Sequence, residues 1–275
     1  NELFFGASPD GGVANELWSS DGLASGTAKV ADLQSAITAM VVQGSTIYFI
    51  ANDGGQAKLW ESDGTLIGTI LEGFSQPGTP LDLAAGSSSL FVVVNDPDAT
   101  PYEVWKVGEG TMVADYAQQP SELTTVDDNP FYVANLPGDG AELLATDGVS
   151  LQTFNINAIN GSDPASLTVI GSQLFVVADE GTLQLIGDPA RQLWRVSGAA
   201  IGGLTLDMVT STGASVLSIH GGLTLLGSDV YFVGEDIESG AELWKSDGVP
   251  GSELRLTDLE TQSRHGFADA QHTGV

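Results

Sequence analysis

Carboxylates are the one chemically competent group this chain carries in quantity, with 36 Asp and Glu against 8 Lys and Arg and a net charge of −28 at pH 7. Five of them stand out by position. Asp96 and Asp98 flank a proline in Asn95-Asp96-Pro97-Asp98, while Asp179, Glu180 and Asp188 bound a longer segment. Oxygen-rich flexible loops of this kind suit a hard divalent cation, and calcium is the expected one. No segment has the spaced aspartates of an EF-hand, so calcium rests on loop chemistry alone. His220, His265 and His272 are not spaced as helical metal ligands, and the simplest reading of each is a surface histidine without a role. The chain has no cysteine, which removes disulfides, zinc–thiolate sites, iron–sulfur clusters and cysteine nucleophiles together. Nucleophile elbows, P-loops and dinucleotide fingerprints are also missing, so no catalytic residue is assigned.

The charge balance excludes whole classes of partner. A pI near 4.1 leaves no basic surface for nucleic-acid phosphates or anionic lipid. No apolar run approaches the roughly 20 residues that span a bilayer, so direct membrane insertion is not expected. With 42% hydrophobic residues and a mean hydropathy of +0.10, the 275 residues can bury a substantial core. Asn1 opens the chain without a signal peptide, which reads as a mature or excised piece.

The elements that must position these groups are set by a repeat. Leu3-Phe4-Phe5, Ile47-Tyr48-Phe49, Leu90-Phe91-Val92, Pro130-Phe131-Tyr132, Leu174-Phe175-Val176 and Val230-Tyr231-Phe232 recur along the chain. Each is followed by a second segment: Glu16-Leu17-Trp18, Lys58-Leu59-Trp60, Glu103-Val104-Trp105, Glu142-Leu143-Leu144, Gln192-Leu193-Trp194 and Glu242-Leu243-Trp244. All 5 tryptophans of the protein occupy this one repeat position. Ser20-Asp21-Gly22, Ser62-Asp63-Gly64, Thr146-Asp147-Gly148 and Ser246-Asp247-Gly248 come next, and Asp-Gly signals a tight turn. A short strand then closes each unit, as in 28–33 and 254–259. An apolar segment also precedes each central copy of the anchor, as in Leu81-Asp82-Leu83-Ala84. Four strands in about 43 residues are the dimensions of a propeller blade. The stretch 33–42 could pass locally for a short helix, but its place in the repeat makes it strand.

The predicted fold is therefore all-β: a six-bladed β-propeller of four-stranded antiparallel blades forming a single domain over residues 1–275. The first unit lacks its innermost strand, since Asn1 already opens the second one. Roughly residues 267–275 are expected to supply it, so that both termini share one blade and no sheet edge is left open.

Glu242-Leu243-Trp244-Lys245-Ser246-Asp247-Gly248, with its counterparts at 16–22 and 59–65 and the following Gly26-Thr27 and Gly68-Thr69, resembles the ELWxxDGT repeat of bacterial proteins. The third and fifth copies depart from it, with Val107-Gly108-Glu109-Gly110 and Val196-Ser197-Gly198 lacking the aspartate. The resemblance implies a secreted or cell-surface repeat protein and leaves its activity open. The recurring tryptophans are expected to pack between neighbouring sheets and the aspartates to accept turn hydrogen bonds. The turn has a superficial likeness to the Asp-box of six-bladed sialidases, but here the tryptophan precedes the turn and no arginine cluster exists to hold a carboxylate sugar.

If the same connection emerges on the same face of every blade, Asp10, Asp53, Asp96, Asp98, Asp139, Asp179, Glu180, Glu235, Asp236 and Glu238 form an acidic ring. Function is sought where the repeat is broken. One break is the enlarged connection 182–191 in the fifth unit. There Leu183, Leu185 and Ile186 could form an apolar lip beside Arg191, a candidate ligand-binding set. The other is an insertion around 210–221. The leading expectation is a non-catalytic extracellular module presenting face loops to a protein or glycan partner. The alternatives are a calcium-dependent hydrolase or lyase with metal at a central channel, and a purely structural part of an extracellular assembly.

Overall fold

The computed structural model describes residues 2–8, 11–74, 78–97, 100–157, 160–185, 188–210, 217–236 and 239–258; for 182–185 and 188–190 it describes the backbone only. Among these residues the chain is all strand apart from one 3-10 turn at Ala24–Gly26. Sheet one comprises β1 (Leu3–Ala7), β2 (Glu16–Ser20) and β3 (Thr27–Asp32). Sheet two runs β4 (Ala39–Gln43), β5 (Thr46–Asp53), β6 (Gln56–Ser62) and β7 (Ile70–Leu71). Sheet three is β8 (Thr79–Ala85), β9 (Leu90–Asn95), β10 (Tyr102–Lys106) and β11 (Thr111–Tyr116). Sheet four is β12 (Ser121–Val126), β13 (Asn129–Leu136), β14 (Gly140–Thr146) and β15 (Leu151–Phe154). Sheet five is β16 (Ala165–Ile170), β17 (Gln173–Leu185), β18 (Asp188–Ser197) and β19 (Thr205–Met208). Sheet six is β20 (Ser218–Leu226), β21 (Asp229–Asp236), β22 (Gly240–Ser246) and β23 (Leu254–Arg255). Every sheet is a meander with strands neighbouring in chain order. The aromatic anchors all fall on one equivalent strand, and the 33–42 stretch forms β4 without a helix.

Two compact units organise these sheets, one of Asn1–Ala134 with Ala145–Leu151 and the other of Asn135–Leu144 with Gln152–Val275. In the first, Leu17, Val30, Ile47 and Phe49 bury one cluster between sheets one and two. Leu59, Leu83, Val92 and Val94 bury another between sheets two and three. In the second unit, Phe175, Leu193, Leu217, Ile219 and Phe232 fill the space between sheets five and six. Alternation along each strand aims these side chains at the neighbouring sheet.

The tryptophans take a shallower place than the sequence suggests. Trp60, Trp105 and Trp244 are half-buried at the margins of the clusters, and before Trp60 and Trp105 the preceding residue is the deeper one. Leu17, Val104, Leu143 and Leu193 are fully buried. An indole needs a partner for its N–H, and the cluster margin supplies one. Trp60 and Trp244 donate to the carbonyls of Ala51 and Gly234, both at 3.1 Å, whereas Trp18 and Trp105 donate to the carboxylates of Glu16 and Glu103 two residues earlier.

The Ser/Thr-Asp-Gly turns are built alike. The Asp carboxylate accepts the N–H two residues on, at 2.8–3.0 Å for Asp21, Asp63, Asp147 and Asp247. The preceding hydroxyl accepts the glycine N–H at 3.0–3.1 Å. Each glycine sits at φ between 83 and 92°, where a side chain would be strained. The second glycine of the repeat has a steric reason instead: a Cβ on Gly26 or Gly68 would lie 2.1 or 2.0 Å from the Asp21 or Asp63 carboxyl. Those bonds to hydroxyl and backbone donors hold the Asp63, Asp147 and Asp247 carboxyls below their ordinary value.

The closing strand of sheet one keeps its predicted six residues as β3, whereas those of sheets two and six are shorter. β23 covers Leu254–Arg255 where 254–259 was expected, and β7 is equally short. An outer strand pairs on one side only, and a short one offers little edge for another chain to join. Residues 267–275, predicted to complete the first sheet, lie outside the described residues.

Candidate binding site

Sheet five breaks the pattern of its neighbours. β17 has 13 residues and β18 has 10, where the corresponding strands elsewhere have 5 to 8. The segment read as an enlarged loop is thus a hairpin arm: Leu185 pairs with Asp188 and Gln184 with Pro189, after an irregularity between Asp179 and Gln184. The reason is local, since in 182–185 Thr182 and Gln184 alternate with Leu183 and Leu185, and Pro189 lies where β18 is paired on one side only. Leu183 and Leu185 lie on this arm, and Ile186 falls outside the described residues.

At the foot of the arm lies a cavity of about 380 Å³, lined by Ser166, Val177, Arg191, Ile219, His220 and Gly222 among others. Two bulges open it. β16 loses register between Ala165 and Thr168, with Ser166 at φ 59°, and β20 loses register between His220 and Thr224, with Gly221 at φ 79°. A bulge interrupts the ladder and bends the strand, and here the Ser166 hydroxyl reaches across to the Gly221 carbonyl at 3.5 Å. Arg191 enters from β18, opposite Asp179. Its Nη2 donates to the carbonyls of Asp163 at 2.6 Å and Val177 at 3.2 Å, and its Nε is buried without a partner. No carboxylate among the described residues lies within 4.0 Å of this guanidinium. Across the cavity His220 Nε2 lies 3.0 Å from Glu235 Oε2.

Of the predicted metal ligands, Asp96, Asp179 and Glu180 have described side chains, and these three do not form a cation site. Asp96 is buried, with its N–H bonded to the Pro101 carbonyl. Asp179 accepts the Gly181 N–H at 2.7 Å and faces Asn157. Glu180 follows it on β17; Asp188 is described by its backbone alone, and Asp98 lies outside the described residues. Among the described residues no three Asp, Glu or His side chains converge as a cation site would require. The other acidic connections are engaged locally as well. Asp53 accepts from Gln34 and Asp236 from the Ser239 N–H, while Asp10 and Glu238 are outside the described residues.

The sequence reads His220 as a surface histidine without a role, and it gives no sign of a part for Ser166 or for the buried repeat glutamates. Glu142 is fully buried, accepts from the Ser162 hydroxyl, leaves Oε1 unpartnered, and is pushed upward in pKa by burial. Gln192, at the same repeat position in sheet five, accepts from Thr210 at 2.6 Å and donates to the Leu217 carbonyl. The first residue of this repeat segment is thus buried in sheets three to six, at Glu103, Glu142, Gln192 and Glu242, and its place in the repeat was the available signal.

No family model matches the chain, and no curated protein is detectably similar in sequence. Solved structures are. The β-propeller domain of the Trilobed protease from Pyrococcus furiosus, described as having an open velcro topology, superposes with a TM-score of 0.55 at 13% identity, covering 94% of this chain and 80% of that one. The fold is that of a β-propeller. The computationally designed Ika8 protein is similar with a TM-score of 0.53 at 17% identity, over 89% of this chain and 71% of that one. A puromycin-hydrolyzing peptidase from Mycobacterium tuberculosis gives 0.53 at 13% identity over 92% of this chain, which spans 44% of the peptidase. At these identities the likeness speaks to architecture, and six sheets match the predicted number of blades.

Proposed function

We propose that this propeller is a non-catalytic extracellular binding and scaffold module of the ELWxxDGT-repeat kind, presenting the sheet-five arm to a protein or glycan partner. The arm carries the reading. Repeat residues are consumed in turns and core, so they have little left to offer a ligand, whereas the hairpin 173–197 reaches past the length its neighbours share. Leu183 and Leu185 on the arm and Arg191 at its foot give it apolar and cationic character in an otherwise acidic chain.

The same proposal includes a closed ring in which residues 267–275 pair beside β1. Two observations support it. Sheet one has three strands with β1 at its edge. In sheet six, Val233 and Leu243 are 44% and 38% exposed, although their repeat equivalents Val177 and Leu193 are buried.

The test replaces residues 181–189 by a two-residue Asn-Gly turn, which suits a hairpin. The full chain and the shortened one are compared on an array of neutral and acidic glycans and of surface proteins from the same source. Binding by the full chain that disappears on shortening supports the proposal; equal binding by both, or by neither, ends it.

A further inference from the structure

We infer that the cavity between the bulged first strands of sheets five and six is a binding site for a small organic carboxylate, held by Arg191 with His220 and Ser166. This stands apart from the proposal for the arm, since the cavity can be filled whether or not the arm has a macromolecular partner.

The argument begins with where the scarce cations go. Lys29 pairs with Glu16 and Asp32, Lys106 with Glu109, Arg195 with Asp207 and Lys245 with Asp229. Lys58 and Arg255 are exposed to water. Arg191 alone among the described cations is half-buried without a carboxylate, satisfied on one nitrogen by backbone carbonyls and orphaned at Nε. A half-buried guanidinium with no described carboxylate within 4.0 Å favours an incoming anion. Nη2 already gives its hydrogens to two carbonyls and Nε is closed off, so Nη1 is the edge left to donate, and a carboxylate oxygen is a strong acceptor for it.

Shape and charge narrow the class further. About 380 Å³ is near the lower end of small-molecule sites, enough for a molecule of monosaccharide size. The net charge of −28 repels polyanions at long range, but at physiological salt that field decays over about 8 Å. One carboxylate can therefore reach an uncompensated guanidinium where a polyphosphate or polyuronate is turned away. His220 Nε2 lies 3.0 Å from Glu235 Oε2, which leaves its Nδ1, with the Ser166 oxygen, to meet the neutral part of the ligand. Gly221 and Gly222 place bare backbone along the wall.

The experiment titrates the full chain by calorimetry and amide NMR with D-glucuronate, N-acetylalanine, glucose and inorganic phosphate. The expected result is saturable one-to-one binding of a carboxylate, glucose silent, with the Gly221 and Gly222 amide signals shifted; which acid binds distinguishes a sugar source from an amino-acid source. Arg191→Gln weakens binding about tenfold or more, as loss of a charge-assisted pair should, and His220→Ala weakens it severalfold. If Arg191→Gln does not fold, His220→Ala and the amide shifts carry the test, because the His220 side chain is 51% exposed. The inference is overturned if neither acid binds at millimolar concentration, if phosphate alone binds, or if the shifts fall away from residues 219–222.

Discussion

Sheets two and six carry nearly the same words, Leu59-Trp60-Glu61-Ser62-Asp63-Gly64 and Leu243-Trp244-Lys245-Ser246-Asp247-Gly248, yet differ in what surrounds them. Leu59 is buried against Leu83 and Val92 of sheet three, while Leu243 is 38% exposed and borders an apolar cavity with Leu226, Tyr231 and Val233. The turns open alike: the glycines sit at φ 87° and 83°, and each Asp carboxylate accepts the N–H two residues on. A repeat thus dictates its own turns and strands but borrows its burial from the next repeat. The last one must find its cover elsewhere in the chain or from outside.

The sharpest way to break this comparison is a pair of truncations. Leu193→Ala removes a fully buried side chain between sheets five and six, and should cost about 2–5 kcal/mol in denaturant unfolding. Leu243→Ala should cost about as much if the ring closes over sheet six, and less than about 1 kcal/mol if that face stays wet. Next in size, Gly68→Ala forces a Cβ onto the Asp63 carboxyl and should cost about 1–3 kcal/mol with loss of the turn bonds, read as a thermal midpoint lowered by several degrees. The corresponding Gly26→Ala should behave alike, since Asp21 crowds it in the same way.

Smaller effects come from pH. Asp128 reaches from the β12–β13 turn to the Ser87 and Ser88 hydroxyls and the Ser88 and Ser89 N–H groups, at 2.6–2.9 Å, and these bonds lower its pKa from 3.8 to about 2. A carboxyl depressed in the folded state contributes stability fully above 3.8 and loses it as pH falls through about 2. Solvent screening reduces the benefit to about 1 kcal/mol. Asp128→Ala should therefore lower stability at neutral pH by about that amount, the gap closing in unfolding curves recorded between pH 4 and 2.

Architecture was legible because its signals recur. Six aromatic anchors, five tryptophans in register and four Ser/Thr-Asp-Gly turns reinforce one another, so errors at single strands such as β23 did not disturb the whole. The site was legible only as a location. Arg191 could be picked out because its segment departs from the repeat, and His220 lies in the other departure, but nothing in their spacing says they share a cavity. That depends on two bulges, at Ser166 and Gly221, whose φ values do not announce themselves in sequence. Of the expected calcium ligands, Asp179 answers a backbone N–H within its own turn, a local use that its sequence position does not reveal.

The claim that repeats build and departures bind is tested most directly by one paired measurement. Asp63→Ala and the chain shortened at 181–189 are compared with the unaltered protein for both thermal midpoint and ligand binding per folded molecule. The account predicts a lower midpoint with intact binding for Asp63→Ala, and an unchanged midpoint with lost binding for the shortened arm. Lost binding in Asp63→Ala at a temperature where it is fully folded, or retained binding without the arm, would contradict it.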